Sequence, residues 1–229
     1  MSQPRHAIVT GTSSGIGLAI AQALLAKGWR VTGLDRDPAV ISEAGFTAHT
    51  IDLAAPEQVT TLARALGTAD ALVHAAGVMR TGKLGALPLE AGAEMWRLHV
   101  EAATRLAEAL LPGMPDGGRV VLIGSRAAAG IAGRSQYAAT KAALLGLARS
   151  WAAELIERGI TVNVISPAAT DTAMLRDPAR AGTAPKLPPL GRLIRPKEVA
   201  ALTAYLLSED AAAITGQDIA ICGGASLQR

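Results

Sequence analysis

The chain has 229 residues but a single cysteine, Cys222. That excludes an internal disulfide and a multi-cysteine metal site, and it fits a reducing compartment. Cys222 itself reads as filling a strand. Aromatic residues are nearly as scarce, with one Phe, two Tyr and three Trp. Base-stacking platforms are therefore not expected, and Ala, Val, Leu and Ile must fill the interior, as tight packing of helices on a sheet favours. Charge of one sign is also lacking. The formal net charge is only +3, and Lys and Arg are scattered rather than gathered into a stripe that tracks phosphates, which argues against nucleic acid as a partner. No uninterrupted apolar run reaches membrane-spanning length, and residues 1–6 form a short polar lead without a signal core. A cytoplasmic protein with no membrane partner is expected. Neither a repeat nor a Gly/Ser or charged linker divides the chain.

Half of the residues are apolar and 18% are charged, a composition suited to one large α/β domain over residues 1–229. Strand-like apolar runs at 7–10, 30–35, 47–51, 71–74, 119–123, 161–165 and 217–221 alternate with helical patterns at 16–27, 57–66, 89–111, 135–158 and 196–206. That order predicts an α/β fold: a Rossmann-like, doubly wound, seven-stranded parallel sheet with helices on both faces, in three αβα layers. Residues 37–45 are too short for a full crossover helix and predict at most a turn or two. The irregular, proline-bearing stretch 173–190 follows the sixth strand at the edge where such sheets bind ligands. It is either a cover over substrate or a rigid surface connection.

The first strand runs into Gly11, Thr12, Ser13, Ser14, Gly15, Ile16 and Gly17, and then directly into a helix. Gly11 permits the tight turn, Gly15 lets backbone approach a pyrophosphate, and Gly17 lets the helix pack closely on the strand. Free N–H groups at the helix N-terminus then face the phosphates. A glycine triplet alone is an ordinary βα turn, but the strand, turn and helix context points to a dinucleotide. Asp35 ends the second strand eighteen residues beyond Gly17, where a carboxylate accepts hydrogen bonds from ribose hydroxyls and repels a 2′-phosphate. It favours NAD over NADP. Arg36, next along, is the group that would pair with that phosphate instead.

Tyr137 and Lys141 stand four residues apart in the 135–158 helix, hence on one face, with an ammonium beside a phenol. A nearby cation favours the phenolate and brings tyrosine toward proton exchange at neutral pH. Ser125 ends the fifth strand twelve residues before Tyr137. With these residues the sequence resembles the classical short-chain dehydrogenase/reductase family over residues 7–227. The resemblance also rests on Asn163-Val-Ile-Ser-Pro167 leading to Thr172, and on Ile214-Thr-Gly-Gln with Gly223-Gly224. It implies that Ser125 holds the substrate oxygen, that Tyr137 exchanges its proton, and that Lys141 holds the nicotinamide ribose and stabilises the phenolate. By position it also puts Asp52 and Leu53 at the adenine, Ala75, Ala76 and Gly77 along the adenosine side, and Pro167, Ala168, Thr170 and Thr172 at the nicotinamide.

Four departures accompany the likeness. The family's helix asparagine is His99, read as a substitute in a proton relay against the competing view of a histidine with a structural hydrogen bond. The Asn-Asn-Ala-Gly turn reads His74-Ala75-Ala76-Gly77, with His74 structural. Pro-Gly reads Pro167-Ala168, and the spacing from Ser125 to Tyr137 is one residue shorter than the commonest form. A secondary alcohol or its ketone is the implied substrate class, and Arg126, Arg134, Arg176 and Lys186 are each available to an acidic substrate group. A non-catalytic dinucleotide-binding sensor on the same fold is the alternative. The family resemblance implies a homo-oligomer, a tetramer before a dimer, to which the Ala- and Leu-rich long helices are suited.

Overall fold

The computed structural model describes residues 4–176 and 186–227. Among the described residues, seven strands and six α-helices follow in the order β1 (His6–Thr10), α1 (Gly15–Leu25), β2 (Arg30–Asp35), β3 (Phe46–Thr50), α2 (Pro56–Ala65), β4 (Ala71–His74), α3 (Leu89–Trp96), α4 (Ala102–Leu110), β5 (Arg119–Ile123), α5 (Ser135–Leu155), β6 (Thr161–Pro167), α6 (Pro196–Leu206) and β7 (Asp218–Ile221). All pairings are parallel, in the order β3-β2-β1-β4-β5-β6-β7. The chain winds outward from β1 to β3 and returns to β4 on the other side. The carboxyl ends of β1 and β4 therefore flank the topological switch point, where open α/β sheets bind their ligands.

Strands β4, β5 and β6 are buried at every residue, as a sheet covered on both faces requires, whereas the edge strands β3 and β7 are partly exposed. One core layer packs α2, α4 and α5 against Ile8, Leu72, Val120 and Leu122. The opposite layer packs α1 and α6 against Ala7, Val9, Val73, Val121 and Ile123. The largest fully buried side chains are Ile, Leu and Met, none of them aromatic, in keeping with the composition. Cys222 lies one residue past β7 and is partly exposed rather than filling the strand.

Residues 37–45 form bends and a turn with no helix. The expected helix over 89–111 is broken into α3 and α4 by a π-helical turn at Arg97–Glu101. Of the stretch 173–190, residues 177–185 lie outside the described residues. Its flanks, through Met174, Leu175, Lys186 and Pro188, border the cleft described next. No helix among the described residues is long and apolar enough to cross a membrane.

Candidate active site

A cleft of about 570 Å³ opens along the carboxyl ends of the strands at the switch point. One end is built by the glycine turn after β1. Gly11 has φ +78°, and a Cβ there would lie 3.0 Å from the Ala76 backbone, so only glycine lets this turn meet the one after β4. A Cβ on Gly17 would collide with the Gly11 carbonyl, which is why the helix can start so close to the strand. The cap residue Ser14 makes no side-chain cap to α1, and the first turn carries no acid. The positive helix end is thus left for an anion from outside.

Thr10 ties the two turns together. Its Oγ1 accepts from the backbone N–H of Ala75 (3.0 Å) and of Ala76 (2.9 Å), and lies 3.1 Å from His74 Nδ1. With two donors already on that oxygen, its proton goes to His74 Nδ1. His74 then carries its proton on Nε2 and donates it to the Leu98 carbonyl in the π turn at 3.1 Å. Burial first, and the nearby Lys141 charge second, push His74 down to about 3. His74 is therefore a neutral brace, as expected. No sequence signal marked Thr10, whose importance comes from being buried between two main-chain turns.

Asp35 stands at the end of β2 on the cleft wall. Its Oδ2 accepts from Ser13 N–H at 2.8 Å and its Oδ1 from Asp37 N–H at 3.1 Å, while Ser13 Oγ donates to the Asp37 carbonyl at 2.9 Å. Through these bonds Ser13 holds the turn after β2 against the glycine turn, beside the cleft. Gly11, Ser14, Gly15, Ile16, Gly17, Asp35, Arg36, Asp52, Leu53, Ala75, Ala76 and Gly77 all line it. Arg36 is exposed, and its ion-pair partner among the described residues is Asp37, at 3.9 Å.

The other end of the cleft carries Ser125, Tyr137, Lys141, Pro167, Ala168, Thr170 and Thr172. Ser125 caps a short 3-10 turn, its Oγ accepting from Ala127 N–H at 3.1 Å. Tyr137 is the third residue of α5, and it and Lys141 are buried. Lys141 Nζ donates to the Ile123 carbonyl at 2.8 Å, and burial lowers its pKa to about 7. The loop one residue shorter than the commonest family form thus still delivers Ser125 and Tyr137 to one cleft. The methyl of Ala168 is accommodated in the wall, its N–H donating to the Ile221 carbonyl at 3.1 Å.

His99 does not open onto the cleft. It is fully buried, its Nε2 accepting from Val78 N–H at 3.0 Å and its Nδ1 lying 2.8 Å from Thr140 Oγ1. Thr140 Oγ1 donates to the Tyr137 carbonyl at 2.9 Å, so His99 carries its proton on Nδ1 and gives it to Thr140. The ring meets Tyr137 edge-on, with centroids 5.7 Å apart. Burial, then the charge of Lys141, hold His99 well below its usual titration range. Both ring nitrogens are committed, which favours the structural reading of His99 over the relay. Asn163 on β6 ties in the segment that leads to β7: its Nδ2 donates to Ile214 O at 2.7 Å and its Oδ1 accepts from Gln217 N–H at 3.1 Å.

A doubly wound sheet with an uncapped glycine-turn helix, and a buried Tyr-Lys pair at the far end of the same cleft, defines a dinucleotide-binding oxidoreductase. A family model described as enoyl-(acyl carrier protein) reductase matches residues 11–226. The 3-oxoacyl-[acyl-carrier-protein] reductase FabG of Escherichia coli is 37% identical over 234 residues, covering 95% of this chain and 96% of that protein. Among solved structures, a short chain dehydrogenase family protein from Francisella tularensis superposes with a TM-score of 0.90 at 25% identity, covering 99% of this chain and all of the other. A blue fluorescent protein from a metagenomic library, in complex with NADPH, gives 0.86 at 33% identity, covering 97% of this chain and 98% of the other. The chain belongs to the short-chain dehydrogenase/reductase family. It is a nicotinamide-dependent oxidoreductase acting on CH–OH groups or the corresponding carbonyls.

Proposed function

We propose that this enzyme interconverts a secondary alcohol and its ketone with Tyr137 as the acid/base, Ser125 holding the substrate oxygen and Lys141 tuning Tyr137. The observation that carries the reading is the placement of all three along one cleft that the glycine turn also lines, a turn whose close backbone approaches at Gly11 and Gly17 leave no room for a Cβ. In ketone reduction, Ser125 Oγ donates to the carbonyl oxygen and Tyr137 delivers the proton to it; in alcohol oxidation the proton runs back. A protonated Lys141 beside the ring favours the phenolate and so lowers the barrier to that exchange. The bound nicotinamide supplies or accepts the hydride. Gly11, Gly15, Gly17 and the start of α1 hold its phosphates, and Ala75, Ala76 and Gly77 its adenosine side. Pro167, Ala168, Thr170 and Thr172 border its nicotinamide end. The walls exclude water where charge develops, which strengthens each of these polar contacts. With a complete Ser-Tyr-Lys set in the cleft, the non-catalytic sensor is the weaker reading.

For the 2′ position of the adenosine ribose, two observations pull apart. The NADPH-bound relative favours a phosphate there, as does the exposed Arg36. Asp35, on the wall itself, presents a carboxylate that repels one. The side chain at this chain's own site outranks the ligand of a relative at 33% identity, so NAD(H) is the proposed preference. The relatives' name offers 3-oxoacyl thioesters as one ketone class, and they belong in the first panel beside simple ketones and secondary alcohols. The test follows reduced-nicotinamide absorbance over that panel with NAD(H) and NADP(H) in parallel. Turnover that is lost in Tyr137→Phe supports the assignment; a panel without turnover, with cofactor still bound, returns the sensor.

A further inference from the structure

Of the four cations that sequence makes available to an acidic substrate, the structure separates one from the rest. Arg176 lies off the cleft, paired with Asp171 at 2.8 Å on the surface. Arg126, Arg134 and Lys186 line the substrate half of the cleft, against one acid, Glu94. Only Arg134 has a buried polar atom without a partner: its Nε is inaccessible to solvent and meets no acceptor among the described residues. None of the ion pairs among the described residues involves Arg134 or Glu94. An N–H withdrawn from water with no acceptor is costly to keep unless a ligand supplies one.

The main chain of Arg134 is fixed. Its N–H donates to Ile131 O at 3.0 Å, its carbonyl accepts from Ala138 N–H at 2.8 Å, and the preceding Gly133 carbonyl accepts from Gly82 N–H at 2.9 Å. Arg134 is the cap residue of α5, three positions before Tyr137. Both Arg134 and Tyr137 line the cleft. A cation at a helix N-terminus also faces the positive end of the macrodipole, an arrangement that an anion between them would relieve.

We infer that Arg134 receives an oxyanion on the substrate, a carboxylate or a phosphate a few bonds from the reacting carbon. The inference rests on Tyr137 as the acid/base, since it measures the anion from that hydroxyl. A planar guanidinium takes such a group by two parallel N–H bonds, which also fixes the orientation of the neighbouring carbonyl. The enzyme then selects oxo acids, or oxo phosphates, over neutral ketones of the same length.

The test uses matched pairs: acetoacetate and 4-oxopentanoate each against its methyl ester, and dihydroxyacetone phosphate against dihydroxyacetone. Wild type, Arg134→Gln and Arg134→Lys are assayed with saturating cofactor. Wild type is expected to favour at least one charged member by about tenfold or more in kcat/KM, the size of effect that one charge-assisted bidentate contact provides. The phosphate and carboxylate arms identify which oxyanion it is. Arg134→Gln should lose that ratio, chiefly through KM, and Arg134→Lys should restore part of it, which a merely structural arginine would not do. Equal rates within every pair in wild type, or a Gln variant that slows both members alike, overturn the inference. Turnover of 3-oxoacyl thioesters but of no charged member also overturns it while leaving the Tyr137 reading intact. If nothing in either panel turns over, the Tyr137 reading fails. The same anions are then followed by thermal shift of the cofactor-loaded protein, where stabilisation of wild type but not Arg134→Gln retains the site and none in either removes it.

Discussion

Lys141 Nζ reaches the Ile123 carbonyl at 2.8 Å, so the ammonium nearest the proposed acid/base is moored to the end of the strand that leads to Ser125. One helix position and one strand end are thereby locked together, and the cost is a buried cation. Its pKa falls to about 7 through burial, from 10.5. Between those two values the unfolded chain holds a proton that the folded one lacks, so this group's contribution to stability rises with pH across that window. Above 10.5 the lysine is neutral in both states and the penalty is gone; as pH falls toward 7 it returns in full. Lys141→Met should therefore be more stable than wild type near pH 7, by up to a few kcal/mol. The gap should close as pH approaches 10, in denaturant melts of the cofactor-free proteins. A gap that is flat with pH would show that the lysine is not buried as a cation.

Tyr137→Phe keeps the ring, and with it the edge-on contact to His99, while removing the proton. The variant should fold with unchanged stability to within about 1 kcal/mol. Its kcat should drop by roughly 100-fold or more, the usual range for a lost acid/base group. Cofactor affinity, measured by fluorescence titration, should change little. A loss of cofactor binding equal to the loss of turnover would place Tyr137 in binding instead.

His99→Ala strands the Val78 N–H, held by the imidazole in the native site, while Thr140 keeps its bond to the Tyr137 carbonyl. One unsatisfied buried N–H, at about 1–3 kcal/mol, and the cavity left by the ring predict a clear drop in unfolding free energy, and Tyr137 loses its edge-on ring contact. His99→Asn, which can accept from Val78 N–H, should recover part of both stability and kcat. The pH profile of kcat decides between support and relay. A supporting histidine shifts its height and leaves its inflections in place, whereas a relay histidine takes an inflection with it.

Much of this architecture was readable before folding because parallel sheets write themselves as apolar runs. Residues 7–10, 71–74, 119–123 and 161–165 stand out for that reason, and the glycine turn and the Tyr137, Lys141 spacing carry their geometry in the chain itself. What escaped has a different physics. The π turn at Arg97–Glu101 is a change in which main-chain groups pair, and it spans too few residues for a shift in the apolar pattern to stand out. Ser13 sits in the glycine turn but binds Asp35 and Asp37, because which side of a turn a side chain takes depends on a strand many residues away. Thr10 owes its importance to a neighbour distant in sequence, the turn after β4. Arg134 was one of four candidate cations, and only the fold showed its buried Nε without an acceptor among the described residues. The partners of His99, Val78 N–H and Thr140, likewise come from segments that only folding brings to it.

Asp35 performs two tasks that one substitution can separate. Its carboxylate accepts from Ser13 and Asp37 N–H groups, holding the turn after β2, and its charge opposes a 2′-phosphate on the ribose. Asp35→Asn keeps an acceptor for one of those donors and removes the charge. At roughly 6–8 Å and an effective dielectric near 20, the repulsion removed is about 2 kcal/mol per phosphate charge, so the ratio of kcat/KM for NADP to that for NAD should rise at least tenfold. Stability should fall by about 1 kcal/mol for the imperfectly replaced hydrogen bond. Both are measurable on one preparation, by initial rates with each cofactor and by a urea melt. A wild type already selective for NADP, with no change in the Asn variant, would mean that Arg36 rather than Asp35 governs the ribose end. The phosphate would then sit on the exposed side of β2, where the ion-pair partner of the Arg36 guanidinium among the described residues is Asp37, at 3.9 Å.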